Sequence, residues 1–261
     1  LDKPSKRVLR DSDNLLDAVL DAWLERDLPL PEGLIKEDIH WAVASKIPQS
    51  RGLKSSAAVS VAAIKSLCQA TDTELNDSEI VDLSSQAQLR ANVSITGSID
   101  DSWACLTKGW KLIDANAEEI ADGVIMEGAG LNPDDWIVII ALRDERENRP
   151  ELEDFAPLYN EFEKALLALQ QGEILNCLTI NGRAVCAVTN DIQGRKISND
   201  AFINGARSSG LTGSGPAVVI VIPSLVSSSA ERIKSTLSRI LPKEQIIETR
   251  FLSQDSDELE T

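Results

Sequence analysis

Three stretches of this 261-residue chain put chemically able groups at spacings a fold can exploit. The first is Pro48-Gln49-Ser50-Arg51-Gly52-Leu53-Lys54-Ser55-Ser56-Ala57-Ala58. A proline stops what precedes it, a glycine turns the chain, two serines stand at a helix mouth, and alanines carry the helix on. The first turn of a helix has unpaired amides and a partial positive charge, so an anion is favoured there. Small residues let the backbone approach a phosphate, and Lys54 can add charge beside it. Ser55 or Ser56 can offer a hydroxyl to a phosphate oxygen or to Mg²⁺, a hard cation that takes oxygen ligands. The competing reading is structural: Ser55 caps the helix, and the alanines allow close packing on a sheet. The residues alone leave both open. A Walker A loop is excluded, because its GxxxxGK[ST] spacing is absent.

The second stretch, Thr96-Gly97-Ser98-Ile99-Asp100-Asp101-Ser102, sets two adjacent carboxylates after a Thr-Gly turn. Adjacent side chains do not face each other, so two separate roles are expected rather than a shared proton. In phosphoryl transfer a carboxylate can orient the attacking hydroxyl and accept its proton. An Asx-type turn that caps the next helix is the structural alternative. The third stretch runs from Ser208 to Ala217, with glycines at 210, 213 and 215 ahead of an apolar run. A dinucleotide fingerprint needs its glycines after a strand and opening a helix. Here the order is reversed, which rejects a Rossmann reading and leaves a flexible turn as the structural alternative.

Much chemistry is excluded by what the chain lacks. His40 is the single histidine, so a His-rich metal site is impossible and any Ser-His-Asp mechanism would have to pass through it. The alternation Asp38-Ile39-His40-Trp41-Ala42-Val43 reads His40 as a strand-face residue. Cys68, Cys105, Cys177 and Cys186 form no CxxC pair, so reduced buried thiols are expected, without disulfide or structural zinc. The net charge of −16 repels polyanions, and the densest basic run, Lys3 to Arg10, has no interleaved aromatics; no nucleic-acid partner is expected. The apolar run Ala217 to Ile222 falls far below the roughly 18 to 20 residues of a membrane span, and no run in the chain reaches that length. No membrane partner is expected, and the expected location is cytoplasmic.

The elements that must position these groups follow from periodicity. Ser12 or Asp13 can cap a helix striped by Leu15, Leu16, Val19, Leu20, Trp23 and Leu24 and ended by Pro29 and Pro31. Residues 35–47 alternate like a strand that stops at Pro48. Helices are expected over 55–70 and, capped by Asp77, to about Ala91. A short strand is expected over 109–114. Loop signals at Gly128, Gly130, Asn132 and Pro133 precede a buried strand at 136–142. Helices at 157–171, 174–190 and 198–209 follow, the last closed by Gly210 in a left-handed cap. A strand (217–222), a helix (226–241), a strand (245–252) and an acidic, frayed end complete the pattern. Strands and helices mix without βαβ alternation, which predicts an α+β protein of two lobes, 1–130 and 131–261.

Pro48-x-x-x-Gly52-Leu53-x-Ser55-Ser56-Ala57-Ala58 resembles the PxxxGLGSSAA phosphate-binding motif of the galactokinase, homoserine kinase and mevalonate kinase superfamily, the GHMP kinases. Lys54 departs from the usual glycine, in the form associated with archaeal-type shikimate kinases. Thr96 to Asp101 is similar to the Thr-Gly-Ala-Phe-Asp-Asp segment of those enzymes and to the catalytic-aspartate segment of mevalonate kinases; homoserine kinases lack this aspartate. Ser208 to Ala217 resembles the third superfamily motif, and Thr179-Ile180-Asn181-Gly182 a further family segment.

The resemblance implies a two-lobed fold, with a ribosomal S5-like N-terminal lobe and a ferredoxin-like C-terminal lobe. It implies ATP and Mg²⁺ as cofactors and transfer of the γ-phosphoryl to the 3-hydroxyl of shikimate. Other acceptors, mevalonate-like or homoserine-like, and a non-catalytic binding module stand as alternatives. By this match residues 48–58 bind phosphate, Ser56 helps to place the metal, and Asp100 takes the catalytic position. Asp101, Thr212, Gly213, Ser214 and Gly215 line the substrate loop. The metal-binding glutamate of relatives falls on Gln86. Arg51, Arg149 and Arg207 are candidates for the substrate carboxylate, since a guanidinium binds one in two-pronged fashion. The family's first motif has no counterpart, and the chain starts at Leu1, so a start short of the relatives' first strands is expected.

Overall fold

The computed structural model describes residues 14–45, 47–49, 51–144 and 150–253, together with the backbone of residues 5–9. Ser12, Asp13, Ser50, Arg149, the basic side chains of Lys3 to Arg10 and the acidic end from Gln254 lie outside the described residues. Two compact units emerge. One takes in the residues up to Pro48 together with Lys54–Gly130, the other Gln49–Leu53 together with Leu131–Ser253.

The first unit is a helical core with two small antiparallel ribbons. Helix α1 (Asn14–Glu25) carries the expected stripe and buries Leu16, Val19 and Trp23 against α2 (Ser55–Thr71) and α3 (Asp77–Arg90). Each such side chain contributes about 1.5–3 kcal/mol of apolar burial, and the Trp23 indole N–H donates to Pro29 O at 2.8 Å. The cap of α3 is Asn76 rather than Asp77: its side chain accepts from the Glu79 amide while Glu79 reaches back to the Asn76 amide, a reciprocal capping box. Helix α4 spans Ile99–Leu106.

Strand β1 (Ser5–Leu9), not anticipated from the sequence, pairs antiparallel with β2 (Trp41–Ser45). The strand expected over 35–47 is therefore shorter. Residues Lys36–Asp38 wind into one 3₁₀ turn, held by the Asp38 carboxylate accepting from the Ile35 amide, and His40 lies exposed one residue ahead of β2. Strand β3 (Trp110–Ile113) pairs with β4 (Val124–Gly128), a strand the sequence pattern did not announce and one that includes Gly128, read as a loop signal.

The second unit is built on a four-stranded antiparallel sheet ordered β6-β7-β5-β8, where β5 is Trp136–Ala141, β6 Ser208–Leu211, β7 Val218–Pro223 and β8 Ile246–Thr249. In the β5–β7 register Ile139 faces Ile220 and Ala141 faces Val218. These side chains form one core with Ile197 and Ala201 of α7 (Ile192–Ile203) and Ile233 and Leu237 of α8 (Ser227–Leu237). Helices α5 (Tyr159–Gln170) and α6 (Ile174–Val188) complete the unit.

The helix expected over 198–209 is corrected here. It starts earlier, at Ile192, under an Asp191 cap, and stops at Ile203 before Gly205, which adopts φ +101°. Ser208 to Leu211 is then free to pair with β7 as a fully buried strand. Gly210 is no left-handed cap. It lies against Gly182 of α6, where a Cβ on Gly182 would stand 2.5 Å from the Gly210 Cα.

Candidate functional site

In the first unit the candidate chemistry gathers where α2 and α4 begin. Lys54 precedes α2 in a left-handed conformation (φ 60°), which ends the incoming chain and starts the helix abruptly. It is Lys54, not Ser55, that occupies the cap position, and no side chain caps the helix. The leading amides of α2 thus keep their capacity for an anion. Ser55 and Ser56 are half-buried, and Ala57 is wholly buried where α2 packs.

The Lys54 side chain reaches the first turn of α4, its Nζ standing 2.6 Å from Asp101 Oδ2. Asp101 is largely buried, with 12% of its side chain exposed, whereas Asp100 is exposed. Burial pushes the Asp101 carboxyl above its ordinary value and the Asp100 charge adds to the rise, while the Lys54 charge and hydrogen bonds from Lys54 and Ser98 oppose it. The result is a carboxylate held beside a cation yet more basic than an ordinary aspartate.

A buried polar chain ties this pair's surroundings to the serines of α2. Gln88 of α3 is inaccessible to solvent. Its Nε2 donates to Gly97 O and to Ser84 Oγ, both at 3.2 Å, and its Oε1 accepts from Ser56 Oγ at 3.0 Å. The amide orientation has a physical basis, because the Gly97 carbonyl can only accept and so demands the NH₂ end. The Ser56 proton is thereby committed to Gln88, and the oxygen lone pairs remain available to a cation or water. Ser84 bonds in turn to Ser102 (2.9 Å) and Ser60 (2.6 Å). Gly97, at φ +78°, sits so near Ser85 that a Cβ would fall 1.9 Å from its Oγ; only glycine fits this turn.

Gln86, the position matched to the relatives' metal-binding glutamate, does not join this arrangement. It bonds along its own helix to Asp82 Oδ1 at 3.1 Å. Gln88 is the residue that sequence reasoning missed. Its signal was a polar side chain among the apolar positions of a helix that packs on three others. Among the described residues no group of three or more His, Cys, Asp or Glu is gathered in a way that could hold a metal ion. Ser56 Oγ is an oxygen donor suited to Mg²⁺, which usually keeps several waters and takes its remaining ligands from substrate phosphates.

In the second unit, the described part of Gln49–Leu53 packs with the Thr212–Gly215 turn. Thr212 Oγ1 donates to Gly52 O at 3.2 Å, and the Ala217 amide donates to Arg51 O, also at 3.2 Å. Gly52 has φ +77°, and a Cβ there would stand 2.6 Å from Gly215 O. The turn is closed by Gly215 N–H to Thr212 O at 2.9 Å, with Gly213 and Ser214 between them. Two stretches about 160 residues apart in sequence thus meet backbone to backbone, at a distance that a side chain on Gly52 would not allow. Arg51 stands 3.9 Å from Asp144. Arg207 is exposed ahead of β6, at the end of that strand opposite the turn.

Residues 14–109 match the family model for the GHMP kinases N terminal domain. The shikimate kinase of Methanothermobacter thermautotrophicus is 28% identical over 186 residues, covering 67% of this chain and 60% of that protein. The shikimate kinase of Pyrococcus abyssi is 30% identical over 144 residues, covering 55% of this chain and 51% of that protein. The chain thus spans between half and three fifths of the length of these two relatives. Among solved structures, the mevalonate kinase of Methanococcus jannaschii superposes with a TM-score of 0.58 at 19% identity, over 94% of this chain and 77% of that one. Residues 14–109 thus match the GHMP kinase N-terminal domain, and the chain shares the α+β fold of the GHMP kinases.

Proposed function

We propose that this protein transfers the γ-phosphoryl group of ATP to a hydroxyl of a small molecule, and that the acceptor is the 3-hydroxyl of shikimate. The observation that carries the reading is the Lys54–Asp101 pair beside the uncapped mouth of α2. Phosphoryl transfer asks little covalent chemistry of a protein; it asks for positioned charge and an oriented nucleophile. The leading amides of α2 and the run from Pro48 to Ala58 would hold phosphate oxygens. Ser56, with its proton committed to Gln88, would lend an oxygen to Mg²⁺. When bound, that ion would neutralise charge on the phosphates.

The resemblance points to Asp100 as the residue that takes the acceptor's proton. Burial and the link to Lys54 favour Asp101, with Asp100 raising its basicity from the adjacent position. Of the arginines considered for the acceptor carboxylate, Arg51 is favoured over Arg207, because it lies within the phosphate-binding run itself. Shikimate as acceptor rests on the relatives, which bear that name at 28% and 30% identity.

The test is ADP release coupled to a dehydrogenase, with shikimate, mevalonate and homoserine offered as acceptors. Turnover with shikimate well above the others supports the full reading. Turnover with another acceptor alone overturns the substrate and keeps the kinase. No turnover with any acceptor, together with no ATP binding, overturns both.

A further inference from the structure

Arg143 follows β5 and is buried, yet the reaction outlined above does not use it. Its three donor-bearing nitrogens are all engaged. Nη1 donates to Asp191 Oδ1 at 2.8 Å and Nη2 to Asp191 Oδ2, a two-pronged ion pair, while Nε donates at 2.7 Å to the carbonyl oxygen of Pro216. Asp191 is itself fixed. It caps α7 by accepting from the Gly194 amide at 2.7 Å, and a Cβ on Gly194 would lie 2.7 Å from Asp191 Oδ2 and 2.9 Å from Arg143 Nη2. A side chain at position 194 would therefore crowd both partners of the ion pair.

From this geometry we infer that Arg143 is a positioning residue for the Thr212–Gly215 turn and, through that turn, for the backbone at Arg51 and Gly52. The inference rests on the kinase reading for its functional meaning. The path is short and lies wholly within the second unit. Arg143 holds Pro216 O; the next amide, Ala217 N–H, holds Arg51 O; and Thr212, at the head of the turn, holds Gly52 O.

Net stability gives little reason for such a pair, since buried ion pairs can often be replaced by apolar residues at no loss. A guanidinium is suited to the task because its planar fork presents donors on two edges at once. Here one edge reads the carboxylate and Nε reads the carbonyl. A lysine ammonium is a point charge and cannot span both.

The experiment uses Arg143→Lys in the full protein, with ATP binding read by calorimetry and amide exchange read at Ala217. Arg143→Lys keeps a cation beside Asp191 while removing the Nε bond. The expected result is ATP affinity weaker by about 10-fold, the worth of one charge-assisted hydrogen bond, with faster exchange at the Ala217 amide. In turnover the KM for ATP should rise, and the KM for the acceptor with it, since Arg51 lies on the same path. A variant that melts lower but binds ATP with unchanged affinity, and keeps Ala217 protected, overturns the inference and leaves the pair a structural one. A wild-type protein that binds no nucleotide overturns the kinase reading itself, which is a separate outcome from the first.

Discussion

Two pairs between a basic side chain and an aspartate, Lys54–Asp101 in the first unit and Arg143–Asp191 in the second, are built to opposite ends. In the first unit the Lys54 ammonium meets Asp101 at one oxygen, with 35% of the lysine side chain open to solvent. Burial and the adjacent Asp100 leave that carboxyl more basic than usual. In the second unit the Arg143 guanidinium meets both oxygens of Asp191, and a backbone amide completes the shell. Burial pushes this carboxyl up as well, but the Arg143 hydrogen bonds and charge and the Gly194 amide outweigh it, so Asp191 stays below its ordinary value. A carboxylate bonded at both oxygens and held below its ordinary value is a poor acceptor for a substrate proton. One held loosely beside a cation, and above its ordinary value, is a better one. Burial acts on both carboxyls, and the hydrogen bonds and charge set against it decide the direction in which each is shifted.

The largest effect that would break this contrast is on turnover. Asp101→Asn should lower kcat by roughly 10²- to 10⁴-fold if the carboxylate accepts the proton, while Asp100→Asn costs far less; the reverse order would return the role to Asp100. The same change should leave the melting temperature level or raise it. A carboxyl whose folded value is raised stabilises the fold below its unfolded value of 3.8 and loses that contribution as pH climbs through the folded value. At neutral pH it is a burden, and asparagine lifts it.

Asp191→Asn should act on stability instead, costing about 3–5 kcal/mol in denaturant titration because it strands a buried guanidinium. Its pH dependence carries the opposite sign. A depressed carboxyl stabilises above 3.8, and that contribution drains away as pH falls through the folded value. Acid titration of the wild type against Asp191→Asn should therefore converge at low pH, and parallel curves would sink the assignment. Turnover should also fall on the acid side with a midpoint above 3.8, following Asp101.

A smaller effect is expected from Gln88→Leu. It leaves Gly97 O and the Ser56 hydroxyl without their buried partner, at about 1–3 kcal/mol of stability, and it should raise the Mg²⁺ concentration needed for half-maximal turnover. Smallest is Thr212→Val, which deletes one neutral bond to Gly52 O and should cost about 0.5–1.5 kcal/mol, read as a modest rise in the KM for ATP.

Several elements were legible because local rules and tertiary demands agree there. The stripe from Leu15 to Leu24 folds as α1, Ser55 opens α2, and the apolar runs at 136–142 and 217–222 become β5 and β7. Others were not. Ser208-Ser209-Gly210-Leu211 has no β-branched residue to announce a strand, and it is one because β7 offers it a partner and α6 offers a glycine-sized groove. Residues 124–128 carry no local signal that assigns them, and they become a strand because β3 pairs with them.

Within the candidate site the division is sharper. Sequence alone determined the residue types and their order: a helix start with small and hydroxyl residues at 54–58, an aspartate pair after a Thr-Gly turn, and a glycine turn ahead of an apolar strand. Which member of each set faces the chemistry was decided by tertiary structure. Gln86 and Gln88 stand two residues apart, about 200° around a helix, so only one can point at Ser56, and no local rule says which. Asp100 and Asp101 are chemically equal until α4 is oriented, burying one and leaving the other in water. Facing direction and burial are properties of packing, and packing is set by residues far away in the chain.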